Sequence, residues 1–281
     1  MPIHPAVAAK ELPPEPEPLP LPVIDAHTHL DACGADTPAA VAGAMRRAAD
    51  VGVVGAVTVG DDLESCRWAV RAAGWHEHLF AAVAMHPTRA DALDEEARRT
   101  IESLAQDTNV VAIGETGLDF YWDAAPHAVQ EEAFAWHIDL AKRLGKPLMI
   151  HDRQAHRPIL DVLRGEGAPE TVVFHCFSGD AEFARQCADA GYLMSFAGPV
   201  SFTNARDLAQ AAAIAPLDLV MVETDAPFLT PHPFRGRRNE PFALPYTVRA
   251  FAQIRQIPVE ELCRAVTINT ERTYGISVIN G

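Results

Sequence analysis

Between Val23 and Tyr274 the chain repeats one unit eight times: a short apolar, largely β-branched run followed by a stretch with helical spacing. Nothing else in its 281 residues restricts the fold as strongly. The runs begin at Val23, Val53, Leu79, Val110, Lys146, Thr171, Tyr192 and Leu219. Helices are expected over 37–51, 63–74, 94–106, 126–144, 155–164, 181–190, 204–213, 246–256 and 259–274; a threonine and a proline open the first, and Gly145 closes the fourth. Strands that read as continuous apolar runs are buried on both faces, and parallel neighbours need a crossover of helical length. Eight such units close a barrel. The expectation is therefore an α/β chain folded as one (β/α)8 TIM-type barrel over 23–281, close to the typical length of about 250 residues. An open doubly wound sheet is the rival, but no G-x-G-x-x-G follows the first run.

Residues 1–22 stand apart, with eight prolines and several glutamates but no basic, apolar leader pattern, and are expected to be extended and mostly disordered. The formal charge of −15 argues against a protein that coats nucleic acid or an anionic membrane, although bound cations can reverse the field locally. No apolar run is long enough to span a bilayer, so no membrane partner is expected. Five cysteines without a C-x-x-C pair argue against disulfide pairing and point to a reducing cytoplasm.

Barrel enzymes work at the carboxyl ends of their strands. Here those ends carry His27 and His29 on the first run, His86 on the third and Glu115 on the fourth. His151 follows on the fifth, His175 on the sixth and Asp225 on the eighth. Each alone has an ordinary explanation as a hydrogen-bonded histidine, a turn residue or a helix cap. Seven at the same end of one barrel do not, because such groups are disfavoured inside unless paired or ligated. Nitrogen and carboxylate donors without thiolate suit Zn, Mn, Co or Mg. The set exceeds one coordination shell, so two divalent cations with Glu115 as the bridge are expected. Metal hydrolases that bridge their ions with a carboxylated lysine are excluded, since no lysine occurs between Lys10 and Lys142.

The ordered motifs D-A-H-T-H-L-D, I-G-E-T-G-L-D, I-H-D-R, H-C-F-S-G and E-T-D-A-P resemble those of the TatD family of metal-dependent deoxyribonucleases, and R-G-R-R-N-E-P resembles the same family's loop after strand eight. The resemblance implies a TIM-type barrel that hydrolyses phosphodiester bonds, often from DNA 3′ ends. It also implies that His27, His29 and Asp225 hold one ion, His151 and His175 the other, with Glu115 shared. On this reading Asp225 steers or deprotonates the attacking water, and Glu223 orients a neighbour or joins catalysis.

Candidate substrate contacts are His86, Arg153 and the cluster Arg235, Arg237 and Arg238, whose guanidinium groups suit phosphate. Tyr121 and Trp122 suit stacking on a base or packing on the fourth helix. The expected partner is nucleic acid, as DNA ends or single strands. Two other functions fit the residues. One is hydrolysis of a carboxylic ester or amide, such as an aminoacyl ester on tRNA or a small lactone. The other is a non-catalytic metal-loaded scaffold.

Overall fold

The apolar runs form eight parallel strands in sequential order: β1 (Val23–Thr28), β2 (Val53–Gly60), β3 (Leu79–Val83), β4 (Val110–Asp119), β5 (Leu148–Arg153), β6 (Val172–Phe174), β7 (Leu193–Phe196) and β8 (Val220–Val222). The computed structural model describes residues 10–122 and 124–278. Between the strands run α1 (Pro38–Asp50), α2 (Leu63–Ala73), α3 (Glu95–Leu104), α4 (His127–Leu144), α5 (His156–Glu166), α6 (Ala181–Asp189) and α7 (Arg206–Ile214). After β8 come α8 (Leu244–Arg255) and α9 (Val259–Tyr274). Local chemistry sets the ends. Thr37 caps α1 ahead of Pro38, Asp62 and Ser65 form a capping box on α2, and Gly145 ends α4 at φ 62°.

Strand alternation sorts the apolar side chains into two shells. Leu148 and Ile150, Val172 and Phe174, and Val220 and Val222 face outward into the layer shared with Phe134, Ile138, Phe251 and Val266. Met149, Val173 and Met221, one residue out of phase, face inward and meet Ala26, Val57, Ala82 and Ala112 in the barrel interior. The period of two has a consequence at the mouth. One step beyond the inward Met149, Val173 and Met221 stand His151, His175 and Glu223. Complete burial of a ring such as Phe134 contributes roughly 2–3 kcal/mol, and the outer shell holds the larger share of such rings.

The barrel closes where β1 meets the segment after β8. Asp225 N donates to the His27 carbonyl (3.0 Å) and His29 N to that of Ala226 (2.7 Å). The buried Asp25 carboxylate reinforces the seam by accepting from Thr224 N (2.8 Å) and from the Thr224 hydroxyl. These bonds set the histidines of the first strand beside Asp225.

The disorder expected of the proline-rich lead-in does not describe residues 10–22. They run extended along the barrel: Leu19 is buried and its N–H donates to the Val51 carbonyl (3.0 Å). Tyr246 Oη donates to Pro14 O (3.1 Å) and Arg249 to Pro18 O (3.0 Å). Proline keeps such a segment extended and supplies carbonyls without competing N–H groups, which suits docking as well as free solution. Residues 1–9 lie outside the described residues.

Candidate metal centre

Glu115 occupies the middle of the mouth because β4 bulges there. Ile113 pairs with Leu148 but Thr116 with Ile150, so β4 carries one more residue than β5 between these points. The two glycines of G-E-T-G make the close approach possible. A Cβ on Gly114 would lie 2.4 Å from Met149 Cβ, and one on Gly117, at φ +136°, would lie 2.2 Å from the His151 carbonyl oxygen. A second extra residue falls in β1, between the Asp25–Ala56 and Thr28–Thr58 pairs, next to His27.

The six expected ligands converge. His27 Nε2 and His29 Nε2 are 3.2 Å apart, and Asp225 Oδ1 lies 3.7 and 3.6 Å from them. Glu115 turns Oε1 to His29 Nε2 (3.5 Å) and Oε2 to His151 Nδ1 (3.4 Å) and His175 Nε2 (2.7 Å). Two donors each about 2.1 Å from one ion at a tetrahedral angle sit about 3.4 Å apart, near all of these spacings except the 2.7 Å His175–Glu115 contact, which is a hydrogen-bond distance. Among the described residues three groups bring a ligand atom of each member within 4.8 Å of the others: His27 with His29 and Asp225, His27 with His175 and Glu223, and His86 with Glu115 and His151. None contains a thiol.

Each histidine is oriented from behind. His29 Nδ1 must donate to the Val59 carbonyl (3.0 Å), which leaves Nε2 bare toward the centre. His175 Nδ1 donates to Glu223 Oε1 (3.2 Å) and His151 Nε2 to Asp119 Oδ2 (2.9 Å). His27 has softer support, with Nδ1 3.1 Å from the Met149 sulfur and its ring stacked on His175 at 4.0 Å.

Electrostatics agree with a cation site. Burial alone would raise the Glu115 carboxyl, but His175, His86 and His151 overrule it and hold it well below the usual range. Burial would lower His175, yet Glu115 and Glu223 raise it well above an ordinary imidazole. His29 is likewise pulled up, against burial, to about 9 by Asp225 and Glu115. His27 is driven well below its usual range by burial and then by His175. In the bare protein, protons shared by imidazoles and carboxylates compensate charge where a divalent cation would. Asp225 itself has a left-handed backbone, φ 51°, after the last strand.

His86, expected to donate to phosphate, lies against His151 (ring centroids 4.4 Å), and its Nδ1 accepts the Thr88 N–H (3.2 Å), which leaves the proton of a neutral ring on Nε2. Burial and then His151 lower it to about 3, so it stands there as a neutral imidazole rather than a cation. Arg153 does reach the rim, over the rings of Tyr121 (4.2 Å) and Trp122 (5.8 Å). The other arginines have partners elsewhere. Arg235 lies over Phe202 (4.5 Å), Arg237 donates to Leu12 O (2.9 Å), and Arg238 pairs with the buried Glu240 (3.2 Å) while its N–H donates to Glu11 O. Cys176 faces Glu223 through its backbone N–H, and burial followed by nearby carboxylates raises its thiol well above the usual range, so it is no nucleophile.

Three supporting residues lie inside the quoted motifs without a role having been read from them. Asp119 orients His151, Asp25 seals β1 to Thr224, and Asn239 Nδ2 donates to Thr224 O (3.0 Å) and Phe228 O (2.8 Å), tying the last loop beneath Asp225. Their only sequence signal is their place as short polar residues within those motifs.

Comparison with known proteins agrees with this geometry. A family model described as TatD related DNase matches residues 24–275. An uncharacterized metal-dependent hydrolase, TatD, of Mycobacterium tuberculosis is 58% identical over 260 residues, covering 90% of this chain and 98% of the relative. An uncharacterized metal-dependent hydrolase of Bacillus subtilis, YabD, is 38% identical over 91% of this chain and 100% of its own. The crystal structure of YjjV, a TatD homolog from Escherichia coli, superposes with a TM-score of 0.85 at 26% identity, covering 91% of this chain and 98% of that one.

Proposed function

Since the chain belongs to the TatD-related DNase family and is a metal-dependent hydrolase, we propose that it cleaves phosphodiester bonds of DNA, from 3′ ends or single strands, with two divalent cations. The observation that carries this reading is Glu115, one oxygen turned to His29 and the other to His151 and His175. His27, His29 and Asp225 would hold one cation and His151 and His175 the other, with Glu115 between. His86, neutral and with Nδ1 accepting the Thr88 N–H, can donate from Nε2 to a phosphoryl oxygen. Bound there, the cations supply Lewis acidity toward a phosphoryl oxygen and make water a competent nucleophile near neutral pH.

The protein's own groups do the rest. Asp225, with 14% of its side chain accessible, stands where its carboxylate can take the proton of the attacking water. Glu223 and Asp119 keep the histidine nitrogens behind the site protonated, so that the facing nitrogens remain bare. Arg153 at the rim meets the phosphate backbone. Free thiols at all five cysteines suit a reducing cytoplasm. No helix among the described residues is long and apolar enough to cross a membrane.

A second reading, hydrolysis of an ester or amide in a less phosphate-rich substrate, draws support from one observation. Arg235, Arg237 and Arg238 already have intramolecular partners. End-labelled single- and double-stranded oligonucleotides, an aminoacyl ester and a lactone, each given to protein reconstituted with Mg, Mn, Zn or Co, separate the two. Stepwise shortening from the 3′ end supports the first. Turnover of the ester or lactone with intact oligonucleotides overturns it.

A further inference from the structure

Large apolar side chains exposed to solvent are few, and their placement is uneven. Among the described residues they are Tyr121, Trp122, Ile214, Phe228 and Ile268. Ile214 ends α7 and Ile268 lies on α9, but the three aromatic ones border the mouth of the barrel. Phe228 follows β8 with its ring edge-on to His29 at 6.2 Å. Tyr121 and Trp122 follow β4, 50% and 55% exposed, with rings perpendicular at 5.0 Å. Packing on α4, the ordinary use of such residues, does not account for rings half in water. Phe120 takes that role by stacking on His127 at 3.6 Å.

The pair is held in register with the metal centre by one carboxylate. Asp119 Oδ1 accepts from the N–H groups of Tyr121 (3.0 Å) and Trp122 (2.9 Å) while Oδ2 accepts from His151 Nε2 (2.9 Å). Gln130 fixes Asp119 in turn, accepting its N–H (2.8 Å) and donating to its carbonyl (3.1 Å). Rings on a floppy loop would be a chance patch; rings tied through one residue to a ligand histidine share its frame. The two rings also differ in what covers them. The Arg153 guanidinium lies over Tyr121 at 4.2 Å but only at 5.8 Å from Trp122. Tyr121 therefore orients the cation, and the indole is left free to stack.

The geometry points to a substrate subsite in which an unpaired nucleobase stacks on Trp122 while Arg153, steadied over Tyr121, meets the adjoining phosphate. A planar face beside a cation suits a nucleotide better than an aliphatic acyl group, and stacking accepts any base, so the subsite selects unpaired strand rather than sequence. This rests on the proposed nuclease reading and assigns its preference for single strands or frayed ends.

The test compares wild type, Trp122→Ala and Trp122→Phe on single-stranded oligonucleotides, either normal or abasic over the terminal nucleotides. Binding of the same strands to the chelated, metal-free protein is followed by anisotropy. A stacking contribution of this kind predicts a loss of about 5- to 100-fold in kcat/KM for Trp122→Ala on normal strands. The Kd of the metal-free protein weakens in parallel, Trp122→Phe restores most of both, and the ratio of wild type to Trp122→Ala falls toward one on abasic strands. Equal activity and binding of wild type and Trp122→Ala on both strands would overturn the subsite and leave the nuclease reading intact. Absence of any cleavage or binding by wild type would overturn both.

Discussion

Replacing Asp119 by asparagine changes a single atom, and the structure dictates which way the new amide must face. Asp119 Oδ1 accepts two backbone N–H groups, those of Tyr121 and Trp122, and Oδ2 accepts one, His151 Nε2–H. In Asp119→Asn the amide oxygen stays with the two backbone donors, because the flipped rotamer would set an NH2 against both and leave them unpaired. The NH2 then faces His151 Nε2, which must accept, and the ring proton moves to Nδ1. That nitrogen lies 3.4 Å from Glu115 Oε2 and is the one turned to the metal centre. A protonated nitrogen cannot ligate. Loss of a group that orients a ligand histidine typically costs about 10- to 100-fold in metal affinity or activity, or roughly 1.4–2.7 kcal/mol at 1.36 kcal/mol per tenfold. The loop caps survive, so the fold should not soften. Calorimetric titration of chelated protein with Zn or Mn, alongside thermal melts, reads both quantities. Affinity within about threefold of wild type would refute the tautomer argument, since the lower bound expected is about tenfold.

Other expectations follow from the same contacts. His137 is buried, accepts the Met85 N–H at Nε2 (3.1 Å) and donates from Nδ1 to Ala133 O (2.7 Å), and burial lowers it to about 4. Between about 6.5 and about 4 the unfolded chain binds this proton and the folded one does not, so stability is lost as the pH is lowered across that window, by up to about 3 kcal/mol. Urea unfolding from pH 7 to 4 should show a shallower decline in His137→Gln, and an unchanged slope would count against it. Gly117→Ala places a methyl 2.2 Å from the His151 carbonyl at a positive φ and should cost at least about 2–3 kcal/mol in thermal melts, with weaker metal binding; a variant that melts and binds like wild type would contradict the bulge account. Leu19→Ala empties a buried anchor of the docked lead-in and should cost about 2 kcal/mol in urea, whereas no change would mean that segment is not held.

What could be read in advance, and what could not, divides along physical lines. Parallel strands covered on both faces are apolar throughout, so runs such as Val53–Gly60 announce themselves, and the end of each run marks the mouth where His151 or His175 must stand. Glu115 is legible as a residue of the mouth for the same reason. Asp119 is not, because its role depends on the pairing of Gly117 with His151 and Asp119 with Arg153, a register fixed only when β4 and β5 meet. The arginines after β8 show the limit from the other side. Charge density suggests a phosphate site, and the partners Arg237 and Arg238 also have in Leu12 and Glu11, up to 227 positions away, follow no local pattern. Proline content likewise says that residues 10–22 are extended, and extension is equally compatible with docking.

The central claim is that histidines and carboxylates from β1, β4, β5, β6 and the end of β8 hold a pair of divalent cations. Anomalous diffraction from crystals of metal-saturated protein tests it most directly. Two peaks are predicted, one among His27, His29 and Asp225 and one beside His151 and His175, with Glu115 between them and both lost in Glu115→Ala. Saturated crystals with no peak at the mouth, or with metal bound only elsewhere, would contradict it.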